Sequence, residues 1–226
     1  MGCWGGAIAT VVLLRGFLMA KGRESGMPDP DYWETFFDPD CILARLGCDG
    51  SRRNAAEFGC GYGTFTIPAA RNVSGTVFSF DIEPEMVGRT KDRANEHGLT
   101  NIVATVRDFC SEGTGLNDRS MDFVMLFNIL HIELSQELLR EATRILAPNG
   151  TIGIIHWRSD ISTPRGPSVE IRPSREEIRI LGDLVGLTSD IQVDLNCCSW
   201  HWGLTMRHQE FRTNKALDTE RRSARF

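Results

Sequence analysis

The stretch Ala55 to Ala70, A-A-E-F-G-C-G-Y-G-T-F-T-I-P-A-A, decides the fold. It reads as the end of a buried strand, a glycine turn and the start of a helix. Gly59, Gly61 and Gly63 permit positive φ and carry no Cβ, so a ligand can lie directly on the backbone beside Cys60. Glu57 stands just ahead of the first glycine, at the C-terminal end of the strand, which in a doubly wound sheet is the edge where ligands bind. A dinucleotide fingerprint needs G-x-G-x-x-G, and here Thr64 holds the place of the third glycine. A phosphate P-loop needs a Gly-Lys-Ser/Thr ending, which is absent.

Outward toward the C-terminus, Phe65 to Arg71 reads as a crossover helix with Pro68 in its first turn. Thr76 to Phe80 is a strand by its β-branched and aromatic content. It ends in Asp81-Ile82, where a carboxylate can accept hydrogen bonds from both hydroxyls of a ribose. The rival role for Asp81 is to cap the helix that Pro84 opens and that runs toward His97. Asn101 to Val106 is the third strand; Asp108 and Phe109 after it suit the amine and the face of an adenine. Met121 to Phe127 is a continuous apolar run, as befits a strand buried on both faces, and leads into Asn128-Ile129-Leu130-His131. Glu133 to Leu146 is an amphipathic helix stopped by Pro148-Asn149-Gly150, and Thr151 to Trp157 is the fifth strand, with His156 near its end.

Strand and helix alternate from Arg53 to Trp157, which predicts a parallel sheet covered by helices on both faces. An irregular loop, Arg158 to Pro173, is followed by a helix near Arg175 to Val185. Strands near Asp190–Leu195 and Trp200–Arg207 have no helix between them, so they should form an antiparallel hairpin at the sheet edge.

Toward the N-terminus, Met1 to Ala20 is apolar but fits neither a secretory signal, whose cations come first, nor a membrane span. It reads as a dispensable leader, with a weak membrane anchor as the alternative. Lys21 to Pro30 has the composition of a linker. Tyr32, Trp33, Phe36 and Phe37 form the aromatic face of a helical turn, either core or a lid over a cofactor, and Asp38-Pro39 starts a second helix. Residues 1–29 are thus read as a poorly ordered leader and linker, 30–207 as the folded domain and 208–226 as a polar, disordered tail.

Composition narrows the function. The 226 residues suffice for one α/β domain, and the formal net charge of −5 supplies no basic field for nucleic acid. Seven cysteines without a C-x-x-C pair argue against a disulfide framework and a structural zinc site, and for a reducing cytoplasm. Cys197–Cys198 reads either as a soft-metal pair or as buried small hydrophobes in a strand.

These elements resemble, in order and spacing, a class I S-adenosylmethionine (SAM)-dependent methyltransferase of the small single-domain type. The resemblance is carried by E-F-G-C-G-Y-G (Glu57 to Gly63), F-D-I-E-P-E-M-V (Asp81), R-D-F (Asp108), M-D-F-V-M-L-F-N-I-L-H, L-A-P-N-G, which looks like the family's L-K-P-G-G turn, and the terminal hairpin. It covers Pro30 to Arg207. It implies a Rossmann-like, doubly wound α/β sheet of seven strands, mostly parallel with an antiparallel C-terminal hairpin. It further implies S-adenosyl-L-methionine as cofactor, held by Glu57, Gly59, Cys60, Gly61, Gly63, Asp81, Ile82, Asp108, Phe109 and Asn128, with no metal. The family often has two histidines after N-x-L, whereas this chain has His131-Ile132; motif IV is not the Asn/Asp-Pro-Pro-Tyr form of nucleic-acid enzymes.

The expected activity is methyl transfer to a small-molecule acceptor, with no nucleic-acid partner, no stable membrane insertion, and a monomer or homodimer as the working unit. A protein methyltransferase and a SAM-binding protein without catalysis are the alternatives. His131, at the mouth of the fourth strand, and His156 are the candidate bases. Arg158, Arg165 and Arg172, spaced among prolines and a glycine, could hold an anionic substrate against Trp33; in the plainer reading they pair with Asp160 and Glu170.

Overall fold

The computed structural model describes residues 26–209. Two short helices precede the sheet. α1 (Pro30–Glu34) is capped by the Asp29 side chain, and α2 (Pro39–Leu46) by Asp38, each with a proline in its first turn. The remaining order is β1 (Ala55–Phe58), α3 (Thr66–Asn72), β2 (Val77–Asp81), α4 (Pro84–Glu96), β3 (Ile102–Val106), α5 (Phe109–Glu112), β4 (Met121–Phe127), α6 (Ser135–Ile145), β5 (Leu146–Trp157), α7 (Arg175–Leu184), β6 (Leu187–Val193) and β7 (His201–His208).

The seven strands lie in the order β3-β2-β1-β4-β5-β7-β6. β1 to β5 pair in parallel, and β7 pairs antiparallel with both β5 and β6. The doubly wound sheet with a C-terminal hairpin is as expected. The order reverses between β2-β1 and β1-β4, the switch point at which α/β sheets open a crevice at the carboxyl ends of their strands. Two apolar clusters cover the faces: Leu138, Leu139, Ile178 and Met206 belong to one, Ile42, Leu43, Phe65 and Val193 to the other.

Two local expectations are corrected here. β5 begins at Leu146 rather than Thr151: Met121 pairs with Leu146 and Phe123 with Thr151, so Ala147 to Gly150 bulge out of the ladder instead of lying before it. Residues 26–29, expected in the linker, are placed against the domain, where Tyr62 donates from its hydroxyl to the Pro28 carbonyl at 2.8 Å. The readings of Met1 to Ala20 and of the tail from residue 210 lie outside the described residues. Among the described residues no helix is long and apolar enough to cross a membrane.

The cysteine reading is corrected more sharply. Cys41, in α2, is joined to Cys197, in the turn between β6 and β7, across 156 positions of sequence. Cys197 and Cys198 lie in the turn between β6 and β7, not in a strand, and of these two Cys198 is the buried free thiol. An odd count without C-x-x-C spacing cannot show a pairing that only folding brings together, so it no longer argues for a reducing compartment. Constraining so long a loop is expected to contribute about 2–4 kcal/mol. A thiol reductant should lower the urea midpoint of the wild type and leave that of Cys41→Ser unchanged; equal midpoints in both would mean the two sulfurs are not joined in solution.

Candidate active site

A cavity of about 310 Å³ opens at the switch point, running from the glycine turn to an aromatic wall. At the glycine end the backbone amides of Gly59 and Cys60 both donate to the Phe80 carbonyl, at 2.8 and 2.9 Å. Gly61 N–H donates to Asp81 Oδ2 at 2.9 Å, and Glu83 N–H to Asp81 Oδ1 at 3.0 Å. Asp81 lines the cavity and orders the turn before α4, but it does not cap that helix, whose N-cap is Glu83 without a side-chain cap bond, so the capping reading is corrected.

The three glycines divide their work. All have positive φ, but only Gly59 and Gly61 line the cavity. A Cβ on Gly63 would lie 3.2 Å from Thr90 Oγ1 of α4, so this glycine allows the helix to approach rather than the ligand. A Cβ on Gly61 would instead meet Met27 Cε at 3.2 Å, which places residues 26–28 along the same turn.

The floor carries two buried carboxyl groups. Glu57 is 2% exposed and accepts a hydrogen bond from the Thr66 hydroxyl. Burial drives its carboxyl up to about 8, against that hydrogen bond, with the nearby Asp81 charge adding to the rise. Burial also raises Asp81, opposed by the Glu83 and Gly61 amides. Thr64 Oγ1 and Asn128 Oδ1 are buried without a hydrogen-bond partner among the described residues. Two carboxyl groups held above their ordinary range and two unmatched oxygens form a surface for a ligand that brings cations and hydrogen-bond donors. SAM fits that description through its ammonium, sulfonium and ribose diol. Phe109 and Ile82 line the same end, whereas Asp108 does not: its Oδ1 caps α5 by accepting from Ser111 N–H.

Asn128 ends β4 with φ 55, a left-handed conformation costly for a non-glycine residue and typical of functional sites. Its orientation is set by a chain that the sequence reading missed. Cys198 Sγ donates to the Phe36 carbonyl at 3.1 Å and lies 3.0 Å from His201 Nδ1; His201 Nε2 lies 3.3 Å from Asn128 Nδ2. Since the carbonyl accepts, the thiol hydrogen points to it, His201 Nδ1–H points to sulfur, and His201 Nε2 accepts from the Asn128 amide. That leaves the amide oxygen of Asn128, a residue that lines the cavity, without a partner among the described residues. No spacing rule links residues 128, 198 and 201; they meet because β4 and β7 flank β5 on either side.

The histidines make a second chain. His131 lines the cavity, and its Nδ1 lies 3.4 Å from Nε2 of the fully buried His156, whose Nδ1 lies 3.2 Å from the Trp157 carbonyl. A carbonyl can only accept, so His156 carries its proton on Nδ1 and His131 donates from Nδ1; the bare Nε2 of His131 remains as an acceptor. Burial holds His131 down at about 4 and His156 well below the ordinary value, so both are neutral near pH 7. The partner missing beside His131 in sequence comes from β5, while His156 itself does not line the cavity.

The three arginines separate. Arg158 pairs with Asp160 at 2.6 Å on the surface, and Arg172 is buried, donating to the carbonyls of Arg158, Arg165 and Pro167 at 2.7, 3.3 and 2.8 Å. Neither lines the cavity; one pairs in solvent and the other fastens the loop from within, so their reading as substrate ligands is corrected. Arg165 does line it, as does Trp33, and donates to the Gly26 carbonyl at 2.7 Å. Among the described residues no group of three His, Cys, Asp or Glu side chains is placed to hold a metal.

Residues 55–150 match the model of a methyltransferase domain family. An uncharacterized protein of Mycobacterium tuberculosis is 29% identical over 117 residues, 51% of this chain and 41% of that protein. The tRNA (adenine(58)-N(1))-methyltransferase catalytic subunit of Candida albicans is 30% identical over 112 residues, 44% of this chain and 33% of that protein. The chain thus spans less than half the length of these curated relatives. Among solved structures, a SAM-dependent methyltransferase from Aquifex aeolicus superposes with a TM-score of 0.68 at 23% identity, covering 86% of this chain and 97% of that one.

Proposed function

We propose that the chain, whose residues 55–150 match a methyltransferase domain family, is a class I SAM-dependent methyltransferase that transfers a methyl group to a small-molecule acceptor held between His131 and the aromatic wall. The observation that carries this reading is the continuity of one cavity from Asp81 to His131. SAM, when bound, supplies an electrophilic sulfonium methyl. Asp81 takes the ribose hydroxyls, Ile82 and Phe109 enclose the base, and Gly59, Cys60 and Gly61 present bare backbone. Glu57 and the Asn128 amide oxygen receive the amino end. His131 Nε2 accepts the hydrogen of the attacking group, and the apolar walls exclude water, leaving the protein chiefly the task of alignment. Arg165 makes an anionic acceptor the better fit.

The test is transfer of labelled methyl from SAM into a cell extract resolved by size. Label in the small-molecule fraction supports the proposal. Label in the RNA fraction, the case raised by the tRNA-modifying relative, or in protein would overturn it; SAM binding without label would point to a binding protein. His131→Gln should lower turnover by about 100-fold or more, the usual contribution of a positioned base, with SAM affinity changed less than about twofold. Equal losses in both would make His131 part of the cofactor site instead.

A further inference from the structure

We propose that the Cys41–Cys197 disulfide is a redox switch for the cofactor site: its reduction rotates the Asn128 amide, puts a donor where an acceptor stood, and weakens SAM binding. The switch rests on the methyl-transfer reading, in which the Asn128 amide oxygen receives the amino end of SAM.

The disulfide stands beside the hydrogen-bond chain that ends at Asn128. Cys197 directly precedes Cys198, and Cys41 follows Phe36 by five positions. The S–S bond and the bond from Cys198 Sγ to the Phe36 carbonyl therefore tie the same two segments, the entry to α2 and the turn before β7. Within that turn Cys198 is held by its own neighbours: its amide donates to the Leu195 carbonyl at 2.8 Å, and its carbonyl accepts from His201 N–H at 3.2 Å. Thiol and imidazole thus move together. The Phe36 carbonyl belongs to the other segment, which is also held by a surface bond from Arg45 to Asn196 at 3.1 Å and by the packing of Phe36 on Trp157 and of Phe37 on His201.

The chain has two self-consistent arrangements of its protons. Burial raises the Cys198 thiol to about 11 and holds His201 down at about 3, so near pH 7 the thiol and the imidazole ring carry one exchangeable hydrogen each. In the first arrangement the thiol donates to Phe36, His201 Nδ1–H to sulfur and Asn128 Nδ2–H to His201 Nε2. Asn128 Oδ1 is then left without a partner among the described residues. In the second the thiol donates to His201 Nδ1 and the ring carries its hydrogen on Nε2. Asn128 must then turn its oxygen to the ring, and its amino group becomes the free one, at a residue that lines the cavity. The thiol is a weak donor, 3.1 Å from one acceptor and 3.0 Å from the other, so a small retreat of the Phe36 carbonyl chooses between them. An amino group repels the ammonium that the oxygen accepts.

Cys41 and Cys197 are both only half-buried, which admits a small dithiol. Its thiolate attacks one sulfur, the S–S bond breaks, and the other cysteine leaves as a thiolate and is protonated. The reductant's second thiol then displaces the first cysteine. The dithiol ends as a disulfide and both cysteines as thiols.

The experiment measures SAM affinity of the full chain by calorimetry at pH 7, with and without excess dithiothreitol, and reads the His201 tautomer from its ring nitrogen NMR shifts. Reduction should weaken SAM binding about 10-fold and move the ring hydrogen from Nδ1 to Nε2. The Cys41→Ser/Cys197→Ser double variant should bind like the reduced wild type and ignore the reductant. Cys198→Ala keeps the disulfide but breaks the chain, so its SAM affinity should not respond to reduction. A response as large as that of the wild type would mean general loosening around α2 and would overturn the proposal. Equal SAM affinity of the wild type in both redox states, or a His201 tautomer unchanged by reduction, would overturn it too. No SAM binding in either state would instead defeat the methyl-transfer reading, and the tautomer would still decide the switch.

Discussion

Taking the protein from pH 7 to about pH 5 is expected to remove at least about 1 kcal/mol of stability, a sizeable part of the 5–15 kcal/mol typical of a domain. His131 and His201 are held at about 4 and about 3, and His156 well below 6.5, all chiefly by burial. Their folded values lie under the unfolded one, so the unfolded chain binds more protons. Their contribution is complete above pH 6.5 and is lost as pH falls toward the folded values. Over this interval His131 and His201 would together remove about 4 kcal/mol, and His156 acts in the same direction. Glu57 works in the opposite direction. Its folded value of about 8 lies above the unfolded 4.5, so the folded state binds the extra proton. That stability is complete below 4.5 and is lost as pH rises through 8. Maximum stability should therefore fall near pH 6.5–7, where the two trends cross. Urea midpoints from pH 5 to 9 read it directly. Glu57→Gln should raise the acid loss to about 4 kcal/mol or more and abolish the decline between pH 7 and 9. A wild type as stable at pH 5 as at pH 7 would show that the histidines are not buried neutral.

Asp81→Asn is expected to weaken SAM binding by about 100-fold, the worth of one strong charge-assisted contact, while leaving a folded protein. The carboxylate acts twice. It accepts from the Gly61 and Glu83 amides and so holds the glycine turn, and it lines the cavity where a ribose diol would lie. The amide side chain keeps an oxygen for one backbone donor but turns an amino group toward the other. Calorimetry gives the affinity and thermal unfolding the control. Unchanged SAM affinity in the folded variant would reduce Asp81 to a turn residue.

What the amino-acid sequence by itself determined is local or periodic in origin. The strand–glycine–helix stretch from Ala55, the apolar run Met121 to Phe127 and the turns around Pro84 depend on neighbouring residues. They placed Glu57, Asp81, Asn128 and His131 at the carboxyl edge of one parallel sheet. Helix and strand periodicity likewise foretold the C-terminal hairpin. The tertiary structure alone decided which distant side chains meet there. His156 reaches His131 because β5 lies beside β4, and His201 with Cys198 orients Asn128 because β7 folds back along β5. Cys41 meets Cys197 from the far end of the chain. Gly63 faces α4 rather than ligand, and Arg172 serves three carbonyls of its own loop. Sequence pattern carries the direction of a side chain relative to its own element; its partner depends on how elements pack, and packing distance bears no fixed relation to separation along the chain.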